Sequence, residues 1–448
     1  MEGEKKPAGK FAAKLKANAK RIVVWCVAVL ILGVGLAAAL VGVHYTSLVE
    51  PEDVVTLPIA TLPSDLRVVV DNPAGYIAHP DTVLTDDGKI LVMYPLGHGK
   101  GEIAMRTSDD FGASWSDRVS GLPSSWEDSQ ETPTLYNLHF TDGRTRLVLI
   151  SGCPYWPTTS YKADGFNFSY SDDNGATWSE FQKFHSPYDA IVAMSSLTQL
   201  RDENGQPVDA WMGLFHDHKF NVYKTVLTFD ENDNAVWSEP VGLFAASDND
   251  NAELAAKYGM CEVEVIRVEG TGTDDDGALI LLGRANNRIS NSLIAVSRDE
   301  GATWSALKEL PYELCGDRHK AEYDAVTGRV LVSYRQMIPV RHSAISPYKT
   351  IGNGWYAWVG TFADLLSYAD DDSSNDSAGD LLIELGKTDY FAKPYDRVLD
   401  NGYSGVVVKD GVFNVVGYGC FDATSLFPYI ISLTFNLGDV LRANGIAV

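Results

Sequence analysis

The chain has few cysteines, and their spacing speaks against metal binding. Only five occur in 448 residues, and no two form a Cys-x-x-Cys pair. Cysteine-based zinc and iron–sulfur sites commonly take ligands from such pairs, so a metal cluster is not expected. One of the five, Cys26, lies in an apolar run near the N-terminus. The other four are far apart, and the sequence leaves open whether they form disulfides or remain buried thiols.

Basic residues are scarce outside one short segment. The chain carries 36 Lys and Arg against 60 Asp and Glu, which gives a formal net charge of −24. Residues 1–21 hold seven basic and two acidic residues, so the rest of the chain is near −29. A surface of this sign repels phosphate backbones, and we therefore expect no nucleic acid among the partners.

Only one apolar run is long enough to cross a membrane. Residues 22–43 contain no charge over 22 positions, and a transmembrane helix needs about 20 such residues. Because the basic side stays in the cytoplasm, we predict a cytoplasmic tail at 1–21, a transmembrane helix at 22–43 and a stalk at 44–65. The large domain would then face outward from the cell membrane. A cleaved signal peptide is the alternative, since it too joins a basic start to an apolar core.

What the sequence does contain is a repeated eight-residue pattern, Ser-x-Asp-x-Gly-x-x-Trp. Three copies occur at 108–115, 171–178 and 297–304, and a degraded copy runs from 228 to 238. In each copy the Asp can accept backbone N–H bonds and the Gly can take a positive φ. The Trp can then pack beneath the hairpin as an apolar anchor. Each copy therefore predicts a β-hairpin turn stabilised by its own side chains.

The spacing of these turns predicts the architecture. They recur every 57 to 69 residues, and short runs of β-rich composition such as 89–94 and 278–282 lie between them. Four short strands per repeat, arranged radially, make a β-propeller. The length of the chain accommodates about six repeats, although the last two show no turn motif. We therefore predict an all-β fold, a six-bladed β-propeller over residues 66–448.

Charged residues stand in or directly after apolar strands, where a propeller would place its central funnel. Glu262 and Glu264 lie within one such strand, and Arg284 and Arg335 each follow one, 51 residues apart. Any one of them alone could be a paired buried charge or a salt bridge between blades. Two arginines in register, with carboxylates one strand away, also suit a fork for an anionic group of a ligand.

The repeated turns and the segments around these charges resemble the sialidase superfamily. The turns are similar to its Asp-boxes. The stretch from Cys261 to Arg284, followed by the turn at 297–304, resembles a sialidase blade that carries a Glu, a strand ending in Arg and a box. Gly402-Tyr403-Ser404 resembles a sialidase stretch near the C-terminus. The resemblance covers roughly residues 70–440.

The resemblance implies an exo-glycosidase that hydrolyses terminal sialic acid, or a related acidic sugar, with retention and without a cofactor. Tyr403 would be the nucleophile, Glu262 would take its proton, and Arg284 and Arg335 would bind the sugar carboxylate. A neutral phenol suits this substrate because a carboxylate nucleophile would be repelled by it, and sialidases depart from the two-carboxylate rule in this way. Sialylated or other acidic glycans are the expected partners.

Two positions depart from the sialidase pattern. His79 stands where the first arginine of the binding triad is expected. The loop before the first box, residues 94–102, contains no Asp to serve as acid/base. His98 is nearest to that place and Glu102 is the alternative. Since histidine can transfer protons near neutral pH, we predict His98 as the catalytic acid.

Other polar residues near strand ends are expected to line the same funnel. We predict Glu131, Asp217 and Arg318, together with His79, as substrate-binding residues, and we predict no metal site. The two departures leave two alternatives open. One is a non-catalytic propeller that binds glycans, and the other is a glycosidase that acts on a different glycan.

Overall fold

The computed structural model divides the chain into two compact units, residues 1–50 and 51–448. The residues that it describes are 23, 25–34, 36, 55–155, 162–340, 349–351, 354–370, 378–387, 400–422 and 425–448.

The first unit is described only in part. Residues 25–34 are helical, whereas the predicted tail at 1–21 lies outside the described residues. The predicted transmembrane helix at 22–43 is covered in part. Within the described ranges, no helix has both the length and the apolar character that crossing a membrane requires.

The second unit is a six-bladed β-propeller, as the repeats predict. Two short strands precede its blades in the chain, β1 (Ile59–Thr61) and β2 (Arg67–Asp71). Within each blade the successive strands pair antiparallel, and the first strand packs beside the first strands of the neighbouring blades. These six inner strands surround the central funnel.

Blades 1 to 3 follow one another along the chain. The strands of blade 1 are β3 (Asp81–Leu84), β4 (Ile90–Pro95) and β5 (Ile103–Ser108). The strands of blade 2 are β6 (Thr134–His139), β7 (Thr145–Gly152), β8 (Phe166–Ser171) and β9 (Gln182–Phe184). The strands of blade 3 are β10 (Ile191–Arg201), β11 (Pro207–His216), β12 (Val222–Phe229), β13 (Ala235–Trp237) and β14 (Val241–Gly242).

Blades 4 to 6 complete the ring. The strands of blade 4 are β15 (Met260–Arg267), β16 (Leu279–Ala285), β17 (Leu293–Ser297) and β18 (Lys308–Glu309). The strands of blade 5 and of a hairpin within it are β19 (Gly316–Asp324), β20 (Arg329–Gln336), β21 (Ile338–Val340), β22 (Lys349–Ile351), β23 (Gly354–Gly360) and β24 (Leu381–Lys387). The strands of blade 6 are β25 (Gly405–Lys409), β26 (Val412–Gly419) and β27 (Tyr429–Asn436).

Three short helices lie in the connections. They are α1 (Asn251–Tyr258) before blade 4, α2 (Phe362–Ala369) between β23 and β24, and α3 (Leu437–Ala443) after β27. Helix α2 stands in blade 5 where the Asp-box turn stands in blades 1, 2 and 4, which explains why that blade shows no turn motif.

The N-terminal strands close the ring. β2 pairs antiparallel with β27 and supplies the fourth strand of blade 6, while β1 pairs parallel with the outer strand β24 of blade 5. Residues 59–61 therefore belong to the propeller. The domain boundary predicted at residue 66 moves toward the N-terminus, and residues 44–54 of the predicted stalk lie outside the described residues.

The three Asp-box turns form as their side chains predict. In blade 4, the carboxylate of Asp299 accepts hydrogen bonds from the Thr303 backbone N–H at 2.8 Å and from the Thr303 hydroxyl at 2.6 Å. The backbone N–H of Gly301 donates to Ser297 Oγ at 2.9 Å. The boxes of blades 1 and 2 repeat these bonds.

Each box also packs against the preceding blade. A Cβ on Gly175 would lie 2.4 Å from Leu91 of blade 1, and a Cβ on Gly301 would lie 2.6 Å from Met212 of blade 3. Six apolar clusters among the described residues fill the spaces between neighbouring blades. The boxes therefore join adjacent blades as well as forming hairpin turns.

Candidate active site

The inner strands of blades 4 and 5 begin with β-bulges at equivalent places. The pairing of β15 with β16 jumps from Cys261 to Glu264, and that of β19 with β20 jumps from Asp317 to Lys320. A bulge adds a residue to one strand and redirects its side chains away from simple alternation. The bulge in β15 contains Glu262, and it delivers this carboxylate to the mouth of the funnel.

Left-handed backbone recurs at the same level of the propeller. Four non-glycine residues at or just before inner strands have positive φ: His79 (54°), Val192 (47°), Glu262 (49°) and Arg318 (51°). A non-glycine residue in this conformation costs about 1–3 kcal/mol, and such residues concentrate at functional sites. Their recurrence in blades 1, 3, 4 and 5 indicates that the site lies at this mouth of the funnel.

A cavity of roughly 510 Å³ opens there, and every blade contributes to its wall. The lining residues are His79, His98, Gly99, Lys100, Gln130, Glu131, Thr132, Ile191, Val192, Glu262, Arg284, Arg335 and Tyr403. The cavity is large enough for a sugar, and most of the residues that line it have polar or charged side chains.

Tyr403 lies in this wall, directly before β25. Its hydroxyl donates a hydrogen bond to Glu262 Oε1 at 2.6 Å, and it accepts one from Arg284 Nη1 at 2.6 Å. The same Arg284 nitrogen donates to Glu262 Oε1 at 2.8 Å. The three groups form one hydrogen-bonded triangle.

The triangle holds its two acidic members in opposite protonation states. Burial raises the pKa of the Tyr403 phenol well above its ordinary value, although the Arg284 charge opposes the shift. Burial also disfavours ionised Glu262, but the Arg284 charge and the Tyr403 hydrogen bond outweigh it and hold the pKa of Glu262 below its ordinary value. A protonated phenol therefore faces an ionised carboxylate that can accept its proton.

Arg284 and Arg335 converge, and the group on which they converge is Asp317. The Arg284 Nε lies 3.1 Å from Asp317 Oδ1, and Arg335 Nη2 donates to Asp317 Oδ2 at 2.7 Å. Arg288, which the sequence did not single out, also pairs with Asp317 at 2.6 Å. The Arg335 guanidinium lies over the Tyr403 ring, 4.8 Å from its centre.

Asp317 is a fixed negative charge inside the arginine cluster. Its side chain is fully buried, and although burial raises its pKa, the surrounding guanidinium groups hold that pKa far below the ordinary value. Arg284 also contacts Glu262, and Arg335 Nη1 lies 3.9 Å from Asp400. A sugar carboxylate bound by Arg284 and Arg335, as predicted, would therefore compete with the Asp317 carboxylate for the two guanidinium groups.

His79 and His98 lie together beside Tyr403. The ring of His79 is 4.7 Å from that of His98 and 4.9 Å from that of Tyr403. Burial lowers the pKa of His79 to about 3, so this residue is neutral and does not supply the positive charge of the arginine that it replaces. His98 is half-exposed, and its Nδ1 lies 2.6 Å from the Tyr76 hydroxyl.

The two histidines and Asp400 come close enough to bind a metal ion, with one ligand atom of each within 4.8 Å of the others. The oxygens of Asp400, however, already accept hydrogen bonds from the hydroxyls of Tyr76 and Tyr418. We therefore interpret the cluster as a hydrogen-bonded support for the cavity wall rather than as a metal site.

Glu131 lines the same cavity from blade 2, directly before β6. Its side chain is 5% exposed, and Oε1 accepts a hydrogen bond from the Thr132 backbone N–H at 2.8 Å. Burial raises the pKa of Glu131 to about 7, and the negative charges of Glu262 and Asp189 act in the same direction. Glu131 and Glu262 thus share one cavity in different protonation states below neutral pH.

Two predicted substrate-binding residues do not line the cavity. Arg318 is buried, and its Nη1 donates to the Ser195 carbonyl at 2.9 Å, across the funnel in blade 3. Asp217 caps the turn after β11, where Oδ1 accepts the backbone N–H groups of Lys219 and Asn221. A strand end suggested a ligand position for Asp217, but turn chemistry accounts for this carboxylate.

Sequence reasoning missed the residues that support the cavity from behind. Asp317 and Asp400 carry charges that balance the arginines, and neither lies in a motif that the resemblance covers. Asp400 stands only three residues before Tyr403, and Asp317 pairs with Arg335 across β19 and β20 just as Cys261 pairs with Arg284 across β15 and β16. That register is the one signal from which Asp317 could be found.

Comparison with known proteins agrees with the repeats and the fold. The model of the BNR/Asp-box repeat family matches residues 169–180, around the second box. No curated protein matches the chain. The alpha-L-arabinofuranosidase Arb93A from Fusarium graminearum is 11% identical over 84% of this chain and 98% of its own, with a TM-score of 0.52.

Two further solved structures have related architecture. A protein of unknown function from Dyadobacter fermentans is 16% identical over 82% of this chain and 97% of its own, with a TM-score of 0.52. The intramolecular trans-sialidase from Ruminococcus gnavus is 12% identical over 82% of this chain and 95% of its own, with a TM-score of 0.48. At these identities, the two structures with a TM-score of 0.52 indicate a shared fold and nothing further. The predictions of Asp-box repeats and of a six-bladed propeller fold are confirmed.

Proposed function

We propose that this propeller is a retaining exo-glycosidase that uses Tyr403 as its nucleophile. The observation that carries the proposal is the position of the Tyr403 hydroxyl, which donates to Glu262 at 2.6 Å and accepts from Arg284 at 2.6 Å. A nucleophile within hydrogen-bond distance of its base, with the base oriented by a third group, is the general arrangement for covalent catalysis.

The chemistry proceeds in two displacements. The Tyr403 oxygen attacks the anomeric carbon while Glu262 takes the phenol proton. The bond from the anomeric carbon to the glycosidic oxygen breaks as an acid of the cavity protonates the glycosidic oxygen. Arg284 stabilises the negative charge that develops on the phenol oxygen. Water then attacks the anomeric carbon from the face that the leaving sugar vacated, and its proton goes to the acid that was deprotonated in the first step. Glu262 returns the phenol proton to Tyr403 as the bond to the sugar breaks, and the configuration is retained.

An acidic sugar of the sialic acid type is the first candidate substrate. A substrate carboxylate beside the anomeric carbon explains why a neutral phenol attacks, and Arg284 and Arg335 both line the cavity. The test is the release of fluorophore from 4-methylumbelliferyl α-N-acetylneuraminide by the purified full chain. Turnover by the wild type that disappears in Arg335→Ala supports the proposal. If the wild type does not turn over this substrate, sialic acid is excluded as the substrate.

A neutral sugar is the second candidate, and Asp317 favours it. Because Asp317 already pairs with Arg284 and Arg335, the cavity has less positive charge to offer a substrate carboxylate. Aryl α-L-arabinofuranosides and other neutral aryl glycosides test this candidate in the same assay. Glycan binding without turnover of any glycoside would instead support a non-catalytic glycan-binding propeller.

A further inference from the structure

We infer that Glu131 is the acid that protonates the leaving sugar oxygen, a role for which the sequence pointed to His98. The inference rests on the proposed glycosidase function. In the first displacement the glycosidic oxygen takes the Glu131 proton as its bond to the anomeric carbon breaks. In the second displacement the Glu131 carboxylate removes a proton from the attacking water, so the residue returns to its starting state.

Position is the first argument. Glu131 opens onto the same cavity as Tyr403 and Glu262, and it comes from blade 2 whereas they come from blades 6 and 4. The three residues therefore approach a bound sugar from different sides of the funnel. The loop with Gly99 passes directly over the carboxyl, and a Cβ at Gly99 would lie 3.6 Å from Glu131 Oε1. Glycine at this position keeps a side chain away from the carboxyl.

Charge is the second argument. An acid must keep its proton until the reaction, and within the described ranges no Lys, Arg or His nitrogen forms a salt bridge with Glu131. Basic residues also line the cavity, but the charges that shift its pKa most are those of Glu262 and Asp189, which are negative. Glu262, by contrast, pairs with Arg284 at 2.8 Å. One cavity thus holds a protonated carboxyl and an ionised carboxylate, and this division assigns acid and base in glycosidases.

The alternatives fit the role less well. The Nδ1 of His98 already contacts the Tyr76 hydroxyl, and its ring packs edge-on against His79 at the exposed rim. Glu102 is exposed and is not among the residues that line the cavity. We therefore assign His98 to the rim, where it supports His79.

The test compares Glu131→Gln with the wild type on aryl glycosides that differ only in the leaving group. A 2,4-dinitrophenolate leaves without protonation, whereas a methyl glycoside or a disaccharide needs an acid. We expect kcat/KM to fall about 10²- to 10⁴-fold for the poor leaving groups and less than about tenfold for dinitrophenol. The decline of wild-type kcat/KM above about pH 7 should be absent in Glu131→Gln.

Azide provides a second readout. Azide attacks the sugar on Tyr403 without needing a base, so it should restore turnover of the dinitrophenyl glycoside by Glu131→Gln and release a glycosyl azide of retained configuration. Glu264→Gln is the matched control, because Glu264 is also a buried glutamate but lies within the inner strand β15 and lines a different cavity. In this control we expect that any loss of kcat/KM is the same for all leaving groups and that azide does not restore turnover.

The outcomes separate the inference from the function on which it rests. Equal loss on all leaving groups in Glu131→Gln, or an unchanged pH profile, would overturn the role of Glu131 while leaving the glycosidase intact. If His98→Ala, and not Glu131→Gln, loses activity mainly on poor leaving groups, then His98 is the residue that protonates the leaving sugar. A wild type that cleaves no glycoside contradicts the proposed function, and the Glu131 inference then falls with it.

Discussion

In the proposed mechanism, Tyr403 depends on its neighbours to become a nucleophile. Its phenol is buried and holds its proton firmly, so attack requires Glu262 to take that proton while Arg284 stabilises the oxygen. The family resemblance implies that Glu262, Arg284 and Tyr403 meet in this way. The Tyr403 hydroxyl lies 2.6 Å from Glu262 Oε1, within the reach that proton transfer requires.

The other residues of the site show why the sequence did not predict which side chains enter the cavity. Simple alternation along a strand predicts which side chains face the funnel, but bulges in β15 and β19 break that alternation. The neighbours Asp317 and Arg318 both lie in the bulge of β19, yet Asp317 joins the arginines and Arg318 bonds to the Ser195 carbonyl in blade 3. The position of Glu131 was predicted, whereas its retained proton depends on burial that only the folded chain reveals.

Replacing the phenol alone tests the residue-scale account. We expect Tyr403→Phe to lower kcat at least about 10³-fold and to change the affinity for the product sugar less than about threefold, because the mutation removes the nucleophile and keeps the ring. Fluorophore release and calorimetry measure the two quantities. Tyr418→Phe is the control, since its hydroxyl supports Asp400 outside the cavity lining. Wild-type rates in Tyr403→Phe would remove Tyr403 as the nucleophile.

The Asp-box is the element that sequence alone predicted best. Its turn depends on contacts among residues within one eight-residue segment, so the pattern contains nearly all the information that the turn requires. What the pattern does not reveal is the packing of each box on the preceding blade, because Leu91 and Met212 lie far away in sequence. In blade 3 a plain turn capped by Asp230 replaces the full box.

Two glycines of blade 2 distinguish the backbone requirement of a turn from the packing of a box on the preceding blade. Gly175 (φ 83°) lies in the box against Leu91, whereas Gly143 (φ 86°) lies in a hairpin turn with no atom within 4 Å of its would-be Cβ. We expect Gly143→Ala to cost about 1 kcal/mol of unfolding free energy through backbone strain alone. Gly175→Ala should cost at least about 1 kcal/mol more, because its Cβ meets Leu91. Urea unfolding measures both, and equal costs would show that the box does not bind the neighbouring blade.

At the scale of the whole molecule, the ring is closed by residues near the start of the propeller. β2 completes blade 6 next to β27, and Asp71 at its end accepts hydrogen bonds from Tyr94 at 2.5 Å, Arg106 at 3.0 Å and Arg118 at 2.7 Å in blade 1. The repeats predict six blades, but no local pattern indicates that the last one borrows a strand from the N-terminal side.

Asp71 therefore links the two ends of the propeller. We expect Asp71→Asn to lower the free energy of unfolding by about 3 kcal/mol, because the Asp71 carboxylate is buried and its charge pairs with two partly exposed arginines. Asp142→Asn is the matched control: Asp142 pairs with Arg144 at 2.8 Å on an exposed turn, and its loss should cost far less than the loss of Asp71 because solvent screens the pair. Chemical unfolding provides both values, and similar costs would contradict the closing role of Asp71.

The apolar run at 22–43 belongs to this scale too, and we propose that it anchors the propeller outside the cell membrane. Its support is the uncharged length of the run behind a basic segment. Extraction of membranes at alkaline pH tests the proposal. The full chain should stay with the membrane pellet and a chain beginning at residue 51 should not, whereas release of both would contradict an anchor.

The most direct test of the account as a whole is to identify the atom that holds the sugar between the two displacements. A glycosyl fluoride of the cleaved sugar, with a second fluorine next to the anomeric carbon, forms the covalent intermediate and slows its hydrolysis. Peptide mass spectrometry then locates the adduct. We predict one sugar per chain on Tyr403, whereas an adduct on Glu262, or consumption of the reagent with no adduct on Tyr403, would contradict it.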